Sequence, residues 1–238
     1  KIKRGKERVN VTRLASSDSD EPEVTGGYII AMNILDLDER DIAFQTSRGT
    51  PGWYPWNGFI YIYPDKFAVT DAQSAYVKDY IERFEDALYG PDFTDPESGY
   101  AAYIDVGSFV DYLLLTEALK NADSYYASMY MHKERQGKLY MGPIWDWNVS
   151  LGGTSDWDCW DPRRWLYAWV GGFWFPRLRQ DPEFRLLFAD RWFDLRRDLL
   201  ATDRLLADID ATAALLDEAQ HRNFERWPIL GQYIPECE

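Results

Sequence analysis

The chain has 238 residues, enough for one large domain or two modest ones. Hydrophobic residues make up 46% of it and aromatic residues 16%, including 11 Trp, a composition that excludes a disordered chain. The formal net charge of −14 argues against nucleic acid as a partner, because phosphate binding needs clustered Lys and Arg, and it also disfavours anionic membranes. No stretch approaches the ~20 consecutive apolar residues of a membrane span.

Strand patterns fill the first quarter of the chain. Weak alternation over residues 1–14 predicts an edge strand, and the polar run 15–24 predicts a surface loop. The segment "TGGYIIAMNIL" (25–35) predicts a buried strand, and a second strand or hairpin is expected in "DIAFQTSRG" (41–49). A further strand is expected over residues 59–63.

Helical periodicity begins near Thr70, and either Thr70 or Asp71 is the candidate N-cap. The apolar side chains of this helix recur at three- and four-residue spacings, at Val77, Tyr80, Ile81, Phe84 and Leu88. After a loop, Ser108 and Asp111 predict a capping-box-like start of a second helix, which ends near Leu119. The inner face of the second helix is expected to hold Phe109, Tyr112, Leu113 and Thr116.

A β-hairpin is expected after the second helix. A loop at 121–126 precedes two predicted strands, 128–132 and 138–142, joined by the polar turn "KERQG". A Trp- and Gly-rich irregular segment then extends over 152–172.

Two helices are predicted in the last quarter of the chain. One opens at Asp181-Pro182, where Pro suits the first helical position, and the other spans about 203–224. The first should direct inward Phe184, Phe188, Trp192 and Leu195. Strands followed mainly by helices predict an α+β fold.

The stretch "GKLYMGPIWDWNVSLGG" (137–153) contains the candidate site residues Asp146 and Asn148. Oxygen ligands in so apolar a setting are costly to bury without a partner, such as a metal ion or a hydrogen-bond network. Asp123 lies just before the predicted hairpin, and protein kinases share this order of carboxylates. There, one carboxylate takes the proton of the acceptor hydroxyl, and a second oxygen cluster holds Mg²⁺ against the phosphates. On these residues alone, a structural role for Asp123 is the commoner outcome.

The block "FVDYLLLTEALKNADSYYASMYMHKERQGKLYMGPIWDWNVSLGG" (109–153) resembles the centre of the spore-coat-protein-H (CotH) kinase-like family. It follows the pattern of the secreted bacterial branch, which is N-x-D-x-Y, a hairpin and then G-P-x-W-D-F-N. Further similarity lies in "KIKRGKERVNV" with "TGGYII", in "FWFPRLRQDPEF" and in "RNFERWPILGQY". The resemblance spans nearly the whole chain, so residues 1–238 are expected to form one CotH kinase-like domain.

The resemblance implies an atypical protein-kinase-like fold, mainly its C-terminal helical lobe, with the D-x-N element carried by the hairpin. It implies transfer of the γ-phosphoryl group of ATP, with Mg²⁺ or Mn²⁺, to Ser or Thr of a protein that is secreted or on the cell surface. By position, Asp123 matches the catalytic-loop aspartate and Asp146 the metal-binding aspartate. Asn148 stands where many relatives have a second Asp, so this metal site carries one negative charge less.

The resemblance also implies that the chain is the C-terminal two-thirds of a family member. Relatives carry, before the "KIK" segment, an N-terminal portion whose basic residues hold the nucleotide phosphates. They also continue into another helix after "WPILGQY". A chain without half of its phosphate clamp is expected to lose much of its activity, because positioning and electrostatics supply most of phosphoryl-transfer catalysis.

Other functions stay open. The carboxylates of Asp123, Asp146 and Glu117 would also suit a glycosidase, which needs two carboxyl groups about 5–10 Å apart. An acidic, Trp-rich protein would suit a carbohydrate partner. A third possibility is a catalytically inactive scaffold or binding module. Tyr140 could offer a ring face to adenine, although a hairpin tyrosine packed in the core is commoner, and His132 is expected at the surface.

The tryptophans and cysteines each allow two interpretations. Exposed tryptophans stack on sugar rings, but a core of large aromatic side chains under a long loop is the favoured interpretation. The tryptophans concerned are Trp157, Trp160, Trp165, Trp169 and Trp174. Cys159 and Cys237 could pair in an oxidising compartment or remain two thiols.

Overall fold

The computed structural model describes residues 9, 11–33, 43–48, 58–153, 158–168 and 173–232. The strands within these residues are β1 (Tyr28–Asn33), β2 (Gly58–Tyr63), β3 (Met129–Lys133) and β4 (Leu139–Met141). The helices are α1 (Asp71–Tyr89), α2 (Val106–Leu119), α3 (Phe175–Leu178), α4 (Pro182–Arg197) and α5 (Thr202–Arg226). The chain divides into two compact units, residues 1–188 and 189–238. Helices and a small antiparallel sheet make this an α+β protein, as predicted.

The sheet belongs to the first unit and has the strand order β2-β1-β3-β4, with every pair antiparallel. The central strand β1 buries all of its residues except Asn33, which agrees with the predicted buried strand. The predicted strands at 59–63, 128–132 and 138–142 are confirmed to within one or two residues at each end. The hairpin of β3 and β4 therefore lies on one side of the sheet, beside β1.

Two other strand predictions are not confirmed. Residues 11–14 form no regular strand, although Val11 and Leu14 are buried, and the rest of the predicted edge strand lies outside the described residues. Within 43–48, only an isolated bridge between Phe44 and Phe59 forms. Phe44 is buried too, but neither segment forms a continuous ladder within the described residues.

Helix α1 begins with the capping box that its sequence allows. The Thr70 hydroxyl accepts a hydrogen bond from the Gln73 backbone N–H (3.3 Å), and the Gln73 side chain accepts one from the Thr70 N–H (3.1 Å). All five apolar side chains predicted for its inner face are buried.

Helix α2 begins earlier than Ser108, so the predicted start is wrong. Asp105 is the N-cap, and its carboxylate accepts the Ser108 N–H (2.8 Å), which satisfies an otherwise unpaired donor of the first turn. The Ser108 hydroxyl instead accepts the Met141 N–H (3.1 Å) and so joins α2 to β4. The helix ends at Leu119, and its predicted inner face is buried.

The core of the first unit surrounds Trp174, which is fully buried. Its ring lies 4.8 Å from that of Phe84 on α1, and 6.2 Å from those of Phe59 on β2 and Phe109 on α2. The indole N–H donates to the buried Glu85 carboxylate (3.0 Å), which satisfies its one polar group. The core interpretation of the tryptophans is therefore confirmed for Trp174.

Helices α4 and α5 agree with the predicted C-terminal helices. Asp181 caps the start of α4 by accepting the Glu183 N–H (2.9 Å), and Phe184 and Phe188 are buried as predicted, whereas Trp192 and Leu195 are only half-buried. Helix α5 lies in the second unit and buries none of its residues. No helix in the described ranges combines the length and apolar character that crossing a bilayer requires.

Lys133, predicted to lie in the polar turn "KERQG", is instead the last residue of β3 and only 2% exposed. Its ammonium group donates to the carbonyl oxygens of Thr25 (2.5 Å) and Gly137 (2.8 Å) and lies 4.4 Å from the centre of the Tyr80 ring. Burial lowers the pKa of Lys133 from 10.5 to about 8. The buried ammonium therefore ties the hairpin turn to the loop before β1.

The buried charge predicts a pH-dependent stability. Unfolded chains bind more protons at this position between pH 8 and 10.5, so the free energy of unfolding should rise with pH across this window. Urea titrations give the free energy of unfolding of wild type and of Lys133→Met at each pH. Subtracting one from the other removes the contribution of the other titratable groups. Wild type should gain up to about 3 kcal/mol relative to the variant between pH 8 and 10.5. If the difference in free energy of unfolding between the two proteins did not change with pH, the lowered pKa of Lys133 would be contradicted.

Candidate functional site

Two chain connections flank one end of the β3–β4 hairpin. The first connection (residues 120–128) leads from α2 to β3, and the second connection (residues 143–150) leads away from β4. Two backbone hydrogen bonds hold their ends together, from the Leu151 N–H to the Leu119 carbonyl (2.6 Å) and from the Gly142 N–H to the Tyr130 carbonyl (2.7 Å). We call these segments the paired connections. Asp123 lies in the first, and Asp146 and Asn148 lie in the second.

Asp123 lies on a short 3-10 turn, Ala122–Tyr125, directly after α2. Its carbonyl accepts the N–H groups of Tyr126 (3.0 Å) and Ala127 (2.7 Å), which closes the turn. Its half-buried carboxylate accepts the Tyr126 hydroxyl proton (2.7 Å). The carboxylate is therefore oriented by a neighbour from its own turn.

Asp146 and Asn148 are both exposed, so the expected cost of burying them does not arise. Asp146 has a left-handed backbone, with φ of 60°. Burial raises the pKa of Tyr130 on β3, and the negative charge of Asp146 raises it further, which places Asp146 near the start of the hairpin. Part of the apolar setting is itself exposed, since Trp145 keeps 40% of its surface accessible. The two oxygen ligands can therefore reach a solvent-borne partner.

Some of the buried polar atoms that lack a partner within the protein lie in or next to the paired connections. Buried side-chain atoms without a hydrogen-bond partner include Thr116 Oγ1, Asn121 Oδ1, Trp147 Nε1 and Ser150 Oγ. The Asn121 N–H bonds to the Thr116 carbonyl (3.2 Å), so Thr116 on α2 neighbours Asn121 of the first connection, and the Ser150 N–H bonds to the Trp147 carbonyl (3.4 Å) within the second connection. Buried polar groups are normally satisfied by protein, water or ligand. The paired connections therefore have hydrogen-bonding capacity that the protein itself does not use.

Metal binding at this place would rest on few protein ligands. No group of three or more His, Cys, Asp or Glu side chains suited to a metal occurs in the described part of the chain. Mg²⁺ keeps several waters and takes one or two carboxylates together with substrate phosphates. The oxygen donors of Asp146 and Asn148, two residues apart and exposed, fit this kind of ion.

Tyr140 lies on the outer face of β4 and is 36% exposed, so the expected core packing is wrong. The alternation of β4 buries its neighbours Leu139 and Met141 and turns Tyr140 outward. One face of its ring stacks on His132, with 5.2 Å between centroids. His132 is half-buried rather than on the surface, and burial lowers its pKa. Contact of Tyr140 with adenine stays a prediction.

Glu117 is a carboxylate whose oxygens are already used inside the protein. It is 5% exposed and accepts the Tyr125 hydroxyl proton as well as the backbone N–H groups of Leu166 and Tyr167 (2.9 Å each). The Lys120 ammonium lies 3.9 Å away. Glu117 is therefore unsuited to the glycosidase role considered for it. Its contacts were not predicted, because they join segments about 50 residues apart and no local pattern signals them.

The remaining aromatic and cysteine predictions have mixed outcomes. Trp160 and Trp165 are 63% and 47% exposed, so the core interpretation is wrong for both. Trp157 and Trp169 lie outside the described residues. Cys159 is buried, but Cys237 also lies outside the described residues, so both alternatives, a disulfide and two thiols, stay untested.

The fold and the paired connections define an α+β protein with acidic residues on both sides of one hairpin. A family model described as CotH kinase protein matches residues 12–237, nearly the whole chain. The chain therefore belongs to the CotH kinase protein family, which confirms the resemblance of its motifs and supports a kinase-like function in general terms. No curated protein and no solved structure matches the chain significantly.

The entry to the second connection depends on a glycine. Gly142 has φ of +101°, and a Cβ there would meet no atom closer than 3.9 Å, so only backbone strain opposes a side chain. We expect Gly142→Ala to lower the free energy of unfolding by about 1–2 kcal/mol. Gly107→Ala, on the exposed start of α2, is the matched control and should raise it by up to about 1 kcal/mol. Equal effects of the two substitutions in urea titrations would contradict the assigned backbone conformation.

Proposed function

We propose that this protein is a metal-dependent phosphotransferase with an atypical protein-kinase-like fold. Its reaction would move the γ-phosphoryl group of ATP to Ser or Thr of a secreted or cell-surface protein. The observation that carries the proposal is the pairing of the two connections, which keeps Asp123 and the Asp146–Asn148 loop at one end of the hairpin. The family membership supports the same class of reaction.

Asp123 is the proposed catalytic base. In phosphoryl transfer, a carboxylate orients the acceptor hydroxyl and accepts its proton while the new phosphorus–oxygen bond forms and the bond from the γ-phosphorus to the ADP oxygen breaks. The hydrogen bond from the Tyr126 hydroxyl fixes one oxygen of the Asp123 carboxylate. A half-buried, oriented carboxylate on a closed turn is suited to this task, because phosphoryl transfer depends mainly on positioning.

Asp146 and Asn148 are the proposed metal ligands. ATP would supply the transferable phosphoryl group, and Mg²⁺ or Mn²⁺ held by these residues would neutralise the charge on the phosphate oxygens. The two side chains offer one carboxylate and one amide oxygen from a single exposed loop. The outward ring of Tyr140, backed by His132, is the proposed contact for the adenine ring.

A calorimetric titration tests the nucleotide site directly. ATP with Mg²⁺ or Mn²⁺ should bind the wild-type chain, and Asp146→Ala should weaken this binding at least about tenfold, since a hydrogen-bonded or coordinating charge typically contributes more than 1.4 kcal/mol. Asp92→Ala removes an exposed aspartate from the loop after α1 and is the matched control, expected to bind like wild type. Unchanged affinity in Asp146→Ala would refute the metal assignment. Absence of binding in wild type would contradict the proposed nucleotide site of this 238-residue chain.

The base assignment has a separate signature. Asp123→Asn keeps the size of the side chain but loses its proton acceptor, so kcat should fall by about 100- to 10,000-fold. The affinity for metal and ATP should stay within about twofold of wild type, because the ligands in the second connection are intact. The measurement is ADP release with dephosphorylated casein as a Ser-rich probe acceptor. A kcat close to that of wild type would show that another group takes the proton.

A further inference from the structure

The buried carboxylate of Glu117 links three parts of the first unit through hydrogen bonds. It lies on α2, accepts the Tyr125 hydroxyl from the first connection, and accepts the N–H groups of Leu166 and Tyr167 (2.9 Å each). Residues 166–168 form a short 3-10 turn within the Trp- and Gly-rich segment. One side chain thus joins α2, the Asp123 turn and a segment about 50 residues further along the chain.

The charge of Glu117 is compensated where it lies. The Lys120 ammonium, in a side chain that is 9% exposed, is 3.9 Å from one carboxylate oxygen and also donates to the Arg164 carbonyl. Three hydrogen-bond donors and a nearby cation offset the cost of burying a carboxylate, which is high for one without partners. The network is therefore a fixed anchor and offers no open proton-accepting site.

Tyr125 connects Glu117 to the turn that contains the candidate base Asp123. It lies two residues after Asp123 in the same 3-10 turn, and its side chain is 1% exposed. Burial raises the pKa of Tyr125 well above its usual value, and the Glu117 charge raises it further, so the hydroxyl keeps its proton and donates at any physiological pH. The turn has a second tie on the same side, since the Tyr112 hydroxyl donates to the Ser124 carbonyl (3.2 Å).

We propose that Glu117 is a positioning residue for Asp123, acting through the hydroxyl of Tyr125. This inference rests on the proposed phosphotransferase function, since it assigns Glu117 to the geometry of the base. The Asp123 turn is only four residues long and follows a left-handed Lys120. The contact to Glu117 fixes the turn from the interior, while the Tyr126 hydroxyl orients the carboxylate itself.

Tyr125→Phe removes the hydroxyl alone and leaves Glu117 its two backbone donors. The matched control is Tyr100→Phe, because Tyr100 is a buried tyrosine whose hydroxyl also donates to a carboxylate, that of Asp181 (2.6 Å). Both substitutions delete one buried hydroxyl–carboxylate hydrogen bond, so both should lower the melting temperature similarly. A purely structural role of Glu117 would give the two variants the same catalytic behaviour.

The experiment measures kcat, KM for ATP and amide hydrogen exchange on the 238-residue chain, with dephosphorylated casein as the acceptor. Tyr125→Phe should lower kcat about 10- to 100-fold with little change in KM, the effect of a misplaced catalytic group on an intact binding site. Exchange of the Tyr126 and Ala127 amides, which bond to the Asp123 carbonyl, should become about three- to tenfold faster, as expected for loss of one hydrogen bond. Tyr100→Phe should change neither quantity.

The outcomes separate this inference from the proposed function. An active wild type with unchanged kcat and unchanged exchange in Tyr125→Phe would overturn the positioning role alone. Loss of kcat in both Phe variants would also overturn it, because general destabilisation would explain the result. A wild-type chain that neither binds metal with ATP nor releases ADP would overturn the proposed function instead, whatever the exchange data show.

Discussion

Two backbone hydrogen bonds hold the candidate site together, and the chain departs from ordinary backbone geometry to make them. The donors are Leu151 and Gly142, and both have positive φ, 57° and 101°. Lys120, at the start of the first connection, and Asp146, within the second, are also left-handed, at 58° and 60°. Each left-handed non-glycine residue costs about 1–2 kcal/mol. Such strain persists only where the surroundings over-determine it, which is typical of functional sites.

Charged groups near the hairpin fall into two classes with different tasks. Glu117, Lys120 and Lys133 are buried, and backbone groups account for most of their hydrogen bonds. Asp146, by contrast, is exposed at the end of the hairpin. Buried charged groups whose hydrogen bonds are all made within the protein are held in place and are not available to a ligand. Exposed oxygens can bind one. The buried charges near the hairpin therefore hold the backbone in place, whereas the Asp146 carboxylate is accessible from solvent.

The sequence predicted the features that depend on local patterns. Helix α1 follows from its 3.6-residue periodicity and the Thr70 cap, and β1 from a continuous apolar run. The candidate residues Asp123, Asp146 and Asn148 came from motif spacing, which the family match supports without testing their roles. What could not be predicted was long-range. Lys133 was predicted in the turn because one of its acceptors, the Thr25 carbonyl, is 108 positions away and leaves no signal in the local sequence. The backbone donors to Glu117 are also distant in sequence and could not be predicted for the same reason.

The donor set of the proposed metal site has a consequence for the order of binding. One carboxylate and one amide leave a divalent ion with a net charge of about +1, and both donors are exposed to water, where Coulomb attraction is weak. Such a pair holds a free ion poorly. Triphosphate oxygens add several negative charges and bridge the ion, so metal and nucleotide should bind as one complex rather than in succession.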